Sequence, residues 1–292
     1  MYRPTTSANS SASSSLPYER HPTYYLPDGS ICLLLQKDCI LYRVFSSVLM
    51  RASGTFETLL SLKAEDPEEG KKDSNPIVLP GIERREFDFL MAYMIDNEFP
   101  EANEEGLIAL LNLTTFFEMD RHKARVKAAI LRLTEFRPGL QYHLGIKNAI
   151  PEWTEAGFRR LVAAPLDTVT WTDIERMGLE AFTSVVRTKH EIDKHRRLVA
   201  FWPPNPVFAP SCSINMRCEI SWKREWWGVV AKHLLHPEDG LAGAELVEAL
   251  QGAEVVGMCY ACKDLTVASV SESGVLTRED VLIADVIRDM LP

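Results

Sequence analysis

Residues 21–62 read HPTYYLPDGSICLLLQKDCILYRVFSSVLMRASGTFETLLSL, and this stretch decides how the rest of the chain is understood. An apolar run, Ile31 to Leu35, meets a polar break at Gln36-Lys37-Asp38 and then a second run, Cys39 to Val44. Two short segments rich in Ile, Leu, Val and Tyr, joined by a tight polar turn, predict a β-hairpin. The period then changes. Val48, Leu49, Ala52, Phe56, Leu59 and Leu60 recur at helical spacing, and Gly54 splits the pattern into two short helices.

Downstream, residues 63–76 form a charged, breaker-rich loop. Its Gly70-Lys71-Lys72 is not a phosphate loop, because the upstream glycine and the following Ser or Thr are absent. Ile77-Val78-Leu79 reads as a short strand that joins the hairpin in a small sheet. Three helices follow, at 83–97, 103–117 and 121–136. Phe87, Leu90, Met91 and Met94 line the first, Leu107, Leu110, Leu111, Thr114 and Phe117 the second, and Val126, Ile130 and Leu133 the third. Asn103 is a candidate cap for the second.

The stretch from Tyr42 to Phe56, YRVFSSVLMRASGTF, resembles the opening of a BTB/POZ domain, where a strand pair runs into the pattern FxVHxxVLxxxSxxF. With HPTYYLPDGS ahead of the hairpin, it is similar to the BTB proteins numerous in mushroom-forming fungi. The resemblance is strongest over about 21–135. It implies an α+β fold in which a small three-stranded sheet is ringed by about five helices, over 21–136, followed by a mostly helical region. It also implies a protein–protein interaction module that self-associates as a homodimer, and a role as substrate adaptor for a cullin ubiquitin ligase through the helices at 83–117. Candidate contacts are Tyr24, Tyr25, Leu26, Asp28, Val48, Leu49, Phe56, Leu59 and Leu60. The aliphatic ones serve equally as plain core, whereas Tyr24 and Tyr25 precede the sheet proper and are better placed for a partner. Two positions depart from the family: Phe45 stands where His is usual, and Ser46 where a basic residue is usual. The charged pocket of BTB transcription factors therefore does not carry over.

The 292 residues, 46% apolar and 25% charged, suffice for two domains or one large one with a real core. The net charge of −9 argues against a general nucleic-acid binder. Lys223 and Arg224, set against Glu219 and Glu225, are too few for a DNA-reading helix. No apolar run is long enough to span a membrane, and no basic-then-apolar signal layout opens the chain. The expectation is a cytoplasmic or nuclear protein with reduced cysteines.

Residues 1–20 are Ser/Thr-rich and expected to be disordered. Arg137-Pro138-Gly139 marks a boundary, after which helices are expected at 140–148, 151–163 and 173–197, a helical extension over 137–200. The stretch IPEWTEAGFRRLV at 150–162 resembles the post-BTB helical repeat of the fungal proteins. Four prolines in 201–210 predict a linker. Residues 211–292 read as a third, Cys-containing region with helices at 221–235, 240–250 and 277–290.

Chemistry concentrates in four late cysteines. Cys212 and Cys218 are spaced C-x5-C, and Cys259 and Cys262 are spaced C-x2-C, the bite that brings two thiolates to one tetrahedral zinc. Together they make a candidate closed four-cysteine structural zinc site, and the fungal BTB proteins show a similar late pattern. The alternatives are four small buried apolar residues and redox chemistry, which the lack of a βαβ context around Cys259-Tyr260-Ala261-Cys262 disfavours. One of His233 and His236 could substitute for Cys212 as a ligand, although a histidine at a helix C-terminus more often serves the helix dipole. His190 and His195 are five apart, roughly 140° around a helix, so both cannot face one metal. With Lys189, Lys194, Arg196 and Arg197 around them, they read as a solvated face. No G-x-S-x-G, no G-x-G-x-x-G and no carboxylate pair in an apolar frame occurs, so no enzymatic activity is expected. Two readings remain: an interaction module, and a zinc-stabilised regulatory or scaffold protein in which the BTB part only dimerises.

Overall fold

The computed structural model describes residues 18–61, 68–101, 103–236, 241 and 243–290. Most of the expected disordered tail over 1–20, part of the 63–76 loop, the start of the helix expected at 240–250, and Leu291 lie outside the described residues. The chain divides into two compact units, Met1–Phe136 and Arg137–Pro292.

In the first unit the hairpin forms. Strands β2 (Ile31–Leu35) and β3 (Ile40–Val44) pair antiparallel, with Ile31 opposite Val44 and Leu35 opposite Ile40. Both are buried at four of their five positions, so neither face is free for polar residues, and the runs are continuous rather than alternating. Strand β4 (Ile77–Leu79) lies parallel to β2. The sheet has four strands rather than three: β1 (Glu19–Tyr25) pairs parallel with β3, giving the order β1-β3-β2-β4. The sequence ERHPTYY conceals this strand because Pro22 breaks its pattern. At an edge, the missing proline N–H is tolerated, and a register shift between Arg20 and Tyr25 absorbs the irregularity.

Helices α1 (Ser46–Ala52) and α2 (Gly54–Ser61) follow the hairpin. The break between them is made by Ser53. Its buried hydroxyl accepts the Phe56 N–H at 3.0 Å and donates to the Phe117 carbonyl. Helix α3 (Arg84–Met91) continues into a π turn (Ala92–Asp96) that stops at left-handed Asn97. Helix α4 (Glu104–Phe116) is capped by Asn103, which accepts the Gly106 N–H at 3.1 Å. Helix α5 (Asp120–Ile130) ends short of the expected 136, where the Arg132 and Leu133 amides turn to carbonyls three residues back. Leu33, Leu41, Leu49, Phe56, Phe87, Leu90, Leu107 and Leu110 fill the core.

The second unit is helical. Helices α6 (Pro138–Lys147) and α7 (Pro151–Ala163) each begin with proline in the first turn, where its missing N–H costs nothing. They pack at glycine contacts: a Cβ on Gly157 would lie 2.6 Å from the Tyr142 amide nitrogen. After a 3₁₀ turn (Leu166–Thr168), the single helix expected over 173–197 is instead two, α8 (Trp171–Met177) and α9 (Leu179–Phe201). Gly178, at φ 84°, breaks them apart, and Thr170 with Asp173 forms a capping box at the start of α8. Helix α10 (Asn215–Trp226) runs through a π turn (Trp227–Ala231) into the single turn α11 (Lys232–Leu234). Helices α12 (Gly243–Gly252), α13 (Tyr260–Glu272) and α14 (Arg278–Met290) complete the unit.

Helix α13 has no clean apolar stripe in sequence because its inward positions include Cys262 and Thr266 beside Val270. Its core partners are Trp222, Trp226 and Val230 from α10 and the following turn, with Leu246 and Leu250 from α12. The segment expected as a linker over 201–210 is extended from Pro203, as its prolines require, but it is bound along its length. The Thr266 hydroxyl accepts the Val207 N–H at 2.9 Å, and the Trp222 indole donates to the Pro204 carbonyl at 2.8 Å. No described helix is long and apolar enough to cross a membrane.

Candidate metal centre

Cys212, Cys218, Cys259 and Cys262 converge. Their sulfurs all lie within 4.8 Å of one another, and those of Cys212 and Cys218 are 3.8 Å apart. Four sulfurs held about 2.3 Å from a tetrahedral zinc stand about 3.8 Å from each other. The four residues therefore have the geometry to hold a metal ion, and all four are free thiols.

Local structure explains each placement. In Ala209-Pro210-Ser211-Cys212, proline at the second position favours a β-turn, closed by the Cys212 N–H on the Ala209 carbonyl at 2.9 Å. The chain then enters α10, whose first turn carries Cys218. The five intervening residues thus span a loop and part of a helical turn, which is why this pair has a looser spacing than C-x2-C. On the other side, Val255-Val256-Gly257-Met258 closes a turn, with the Met258 N–H on the Val255 carbonyl at 3.1 Å. Gly257 sits at φ 89°, and a Cβ there would be 2.6 Å from the Ser221 hydroxyl, so both conformation and space require glycine. The turn delivers Cys259 to the N-cap of α13 and Cys262 to its first turn. Cap and third helical positions turn their side chains to the same helix end, the relation a capping box uses.

Cys218 and Cys262 are fully buried, and Cys212 and Cys259 are half-buried. Ala209 donates its N–H to the Cys262 sulfur at 3.1 Å, and Cys259 donates its N–H to the Cys218 sulfur at 3.4 Å. Amides aimed at sulfur orient and stabilise thiolates in a metal site. Burial pushes the Cys262 thiol up to about 12 and raises Cys218 as well, while the Cys262 amide and neighbouring thiols draw Cys259 below its usual range. A cation in the centre would compensate the buried thiolates that burial alone disfavours.

The alternative ligands lie elsewhere in role. His233 and His236 are not in the cluster. His195 is half-buried and bonded through Nε2 to the Val275 carbonyl at 2.8 Å, and Arg196 makes a two-pronged pair with Glu279 at 2.8 and 2.6 Å. The face read as solvated is therefore partly the seam between α9 and α14, which periodicity within α9 alone does not reveal.

The candidate contact residues of the first unit divide. Tyr24 is buried, stacked with His21 and bonded to Asp96 at 2.8 Å, and Leu49 and Phe56 are buried core. The expectation that Tyr24 faces a partner is corrected: β1 belongs to the sheet, so its inward residue packs. Tyr25 is half-buried, its hydroxyl donating to Asp73 at 2.8 Å. Asp28 and Leu59 are exposed, and Val48 and Leu60 are half-exposed. Sequence reasoning missed the ring of Tyr18, Arg20, Tyr25 and Cys32 around Asp73, whose members lie some 40 to 55 positions away and leave no local signal. No family model matches the chain, and no curated protein matches it.

Proposed function

We propose that the protein is a non-catalytic interaction scaffold: a BTB/POZ-type first unit that binds proteins and self-associates, joined to a helical second unit stapled by structural zinc. The observation that carries the reading is the convergence of four cysteines from two separate segments. Four sulfurs complete a tetrahedral shell and leave no position for a substrate or activated water, which is the signature of a structural rather than a catalytic zinc. Support for the BTB part is the order of elements: a hairpin, two short helices divided by the buried Ser53, a strand parallel to the hairpin's first strand, and three helices. The contact surface in this reading is Tyr25, Leu26, Asp28, Val48, Leu59 and Leu60, the candidate residues that the core leaves wholly or partly reachable. The adaptor role toward a cullin belongs to the same reading.

Elemental analysis of the purified full chain tests the staple, with about one zinc per chain expected and the metal lost, with a lower melting temperature, in Cys259→Ser. A metal-free protein in which Cys259→Ser is tolerated would sink it. Light scattering tests self-association: a dimer that Leu59→Asp dissolves is expected, and a monomer at tens of micromolar counts against it. A binding assay with a cullin N-terminal domain decides the adaptor role.

A further inference from the structure

Beside the cysteine cluster, Ser213, Ile214, α10 as far as Arg224, and Val256–Gly257 border a groove of about 570 Å³. Its apolar walls are Ile214, Met216, Ile220 and Val256, exposed by 42, 77, 61 and 58%. Helix α10 already buries Cys218, Ser221, Trp222 and Trp226 on its inner side. Met216 and Ile220, four residues apart, are thus a second apolar stripe on the opposite side of the same helix. A soluble helix needs one such face, and a second that is concave and rimmed by polar groups marks a contact surface.

Its charge is one-sided. Arg217 and Arg224 line the groove with neutral polar groups and no acid, in a chain whose net charge is −9. Arg224 is held by Glu225 at 3.1 Å and by the Val256 carbonyl at 2.8 Å. The Arg217 side chain makes no hydrogen bond or ion pair among the described residues. A guanidinium with its fork of donors free beside apolar walls suits a carboxylate. A second copy of this face would bring the unpaired Arg217 against a like-charged surface, which disfavours self-pairing here.

We propose that this groove takes a short segment of another protein whose apolar residues fill the Ile214–Ile220–Val256 wall and whose flanks are aspartate or glutamate. The apolar side chains supply the burial, Arg217 pairs with a flanking carboxylate, and Met216 adapts to the shape of the occupant. The two walls carry Cys218 and Cys259 close behind them, so the metal centre sets their separation. The inference rests on that centre only for the groove's shape.

Fluorescence anisotropy with the zinc-replete full chain tests it. The probes are three series of labelled synthetic peptides of about 12 residues, with identical apolar residues and Glu, Ser or Lys flanks. Glu-flanked peptides are expected to bind roughly tenfold or more tighter than Lys-flanked ones, and more weakly as salt is raised. Arg217→Glu should remove this preference with zinc content and melting temperature unchanged, which separates loss of the groove from loss of the metal centre. Ile220→Asp should abolish binding of every series. Equal affinity for Glu and Lys flanks, indifference to Arg217→Glu, or no binding at millimolar peptide overturns the proposal. So does a dimer that Ile220→Asp dissolves with no peptide bound, which would assign the face to a second copy.

Discussion

His21 is buried between the rings of Tyr24 and Tyr42, with centroids at 5.1 and 4.6 Å. Its Nδ1 accepts the amides of Thr23 and Tyr24 at 3.2 and 2.9 Å, so the ring's hydrogen sits on Nε2, facing Asp88 at 3.1 Å. Taking up a proton at Nδ1 would break both amide bonds. Burial holds the pKa of His21 below its usual value and outweighs the opposing pull of Asp88. His122 and His143 are lowered by burial as well. A base whose folded pKa is depressed binds more protons when unfolded, so its contribution to stability is whole above the unfolded value of 6.5 and is lost as pH falls below it. The melting temperature should hold steady from pH 8 to 7 and decline as the pH drops through about 6. His122→Gln should make the decline shallower. A flat profile down to pH 5 would refute the assignment.

At the scale of elements, the turn before α13 matters most for the metal centre. Gly257→Ala forces a side chain into left-handed backbone and against Ser221, at a cost of about 1 kcal/mol or more. It should also lower zinc retention, because the turn places Cys259. Gly228, in the π turn, is the matched control: a Cβ there meets nothing within 4 Å. Gly228→Ala should leave zinc bound and raise stability by roughly 0.5–1 kcal/mol, since alanine restricts the unfolded helix segment more than glycine does. Thermal melts with metal analysis compare the two, and equal effects would remove the special status of the turn.

Across the whole molecule, the chain divides into two compact units, so a staple in the second should act on the second. Removing metal with a chelator is expected to raise hydrogen exchange at 204–226 and 255–270 while leaving β2 and β3 protected. Uniform loss of protection through both units would contradict this. The aromatic clasp at Trp222 and Trp226, whose indole nitrogens donate to the Pro204 and Val199 carbonyls at 2.8 and 3.0 Å, should loosen with the metal.

Local pattern made much of this fold legible. The runs on either side of Gln36-Lys37-Asp38 specify β2 and β3, Asn103 announces α4, and Pro151 opens α7 where its stripe begins. These features depend on neighbours within one or two turns, and sequence periodicity records such neighbours directly. The C-x2-C bite is equally local, because a cap and its third helical residue face one way wherever the helix lies. What only the tertiary structure decided depends on residues far apart in the chain. It brought Cys212 and Cys218 to Cys259 and Cys262 across some 40 residues, drew β1 into the sheet and turned Tyr24 inward. It also left Met216 and Ile220 outside a helix whose other side is full. Burial is a property of the assembled chain, so which of two apolar faces is covered is decided when the helices pack.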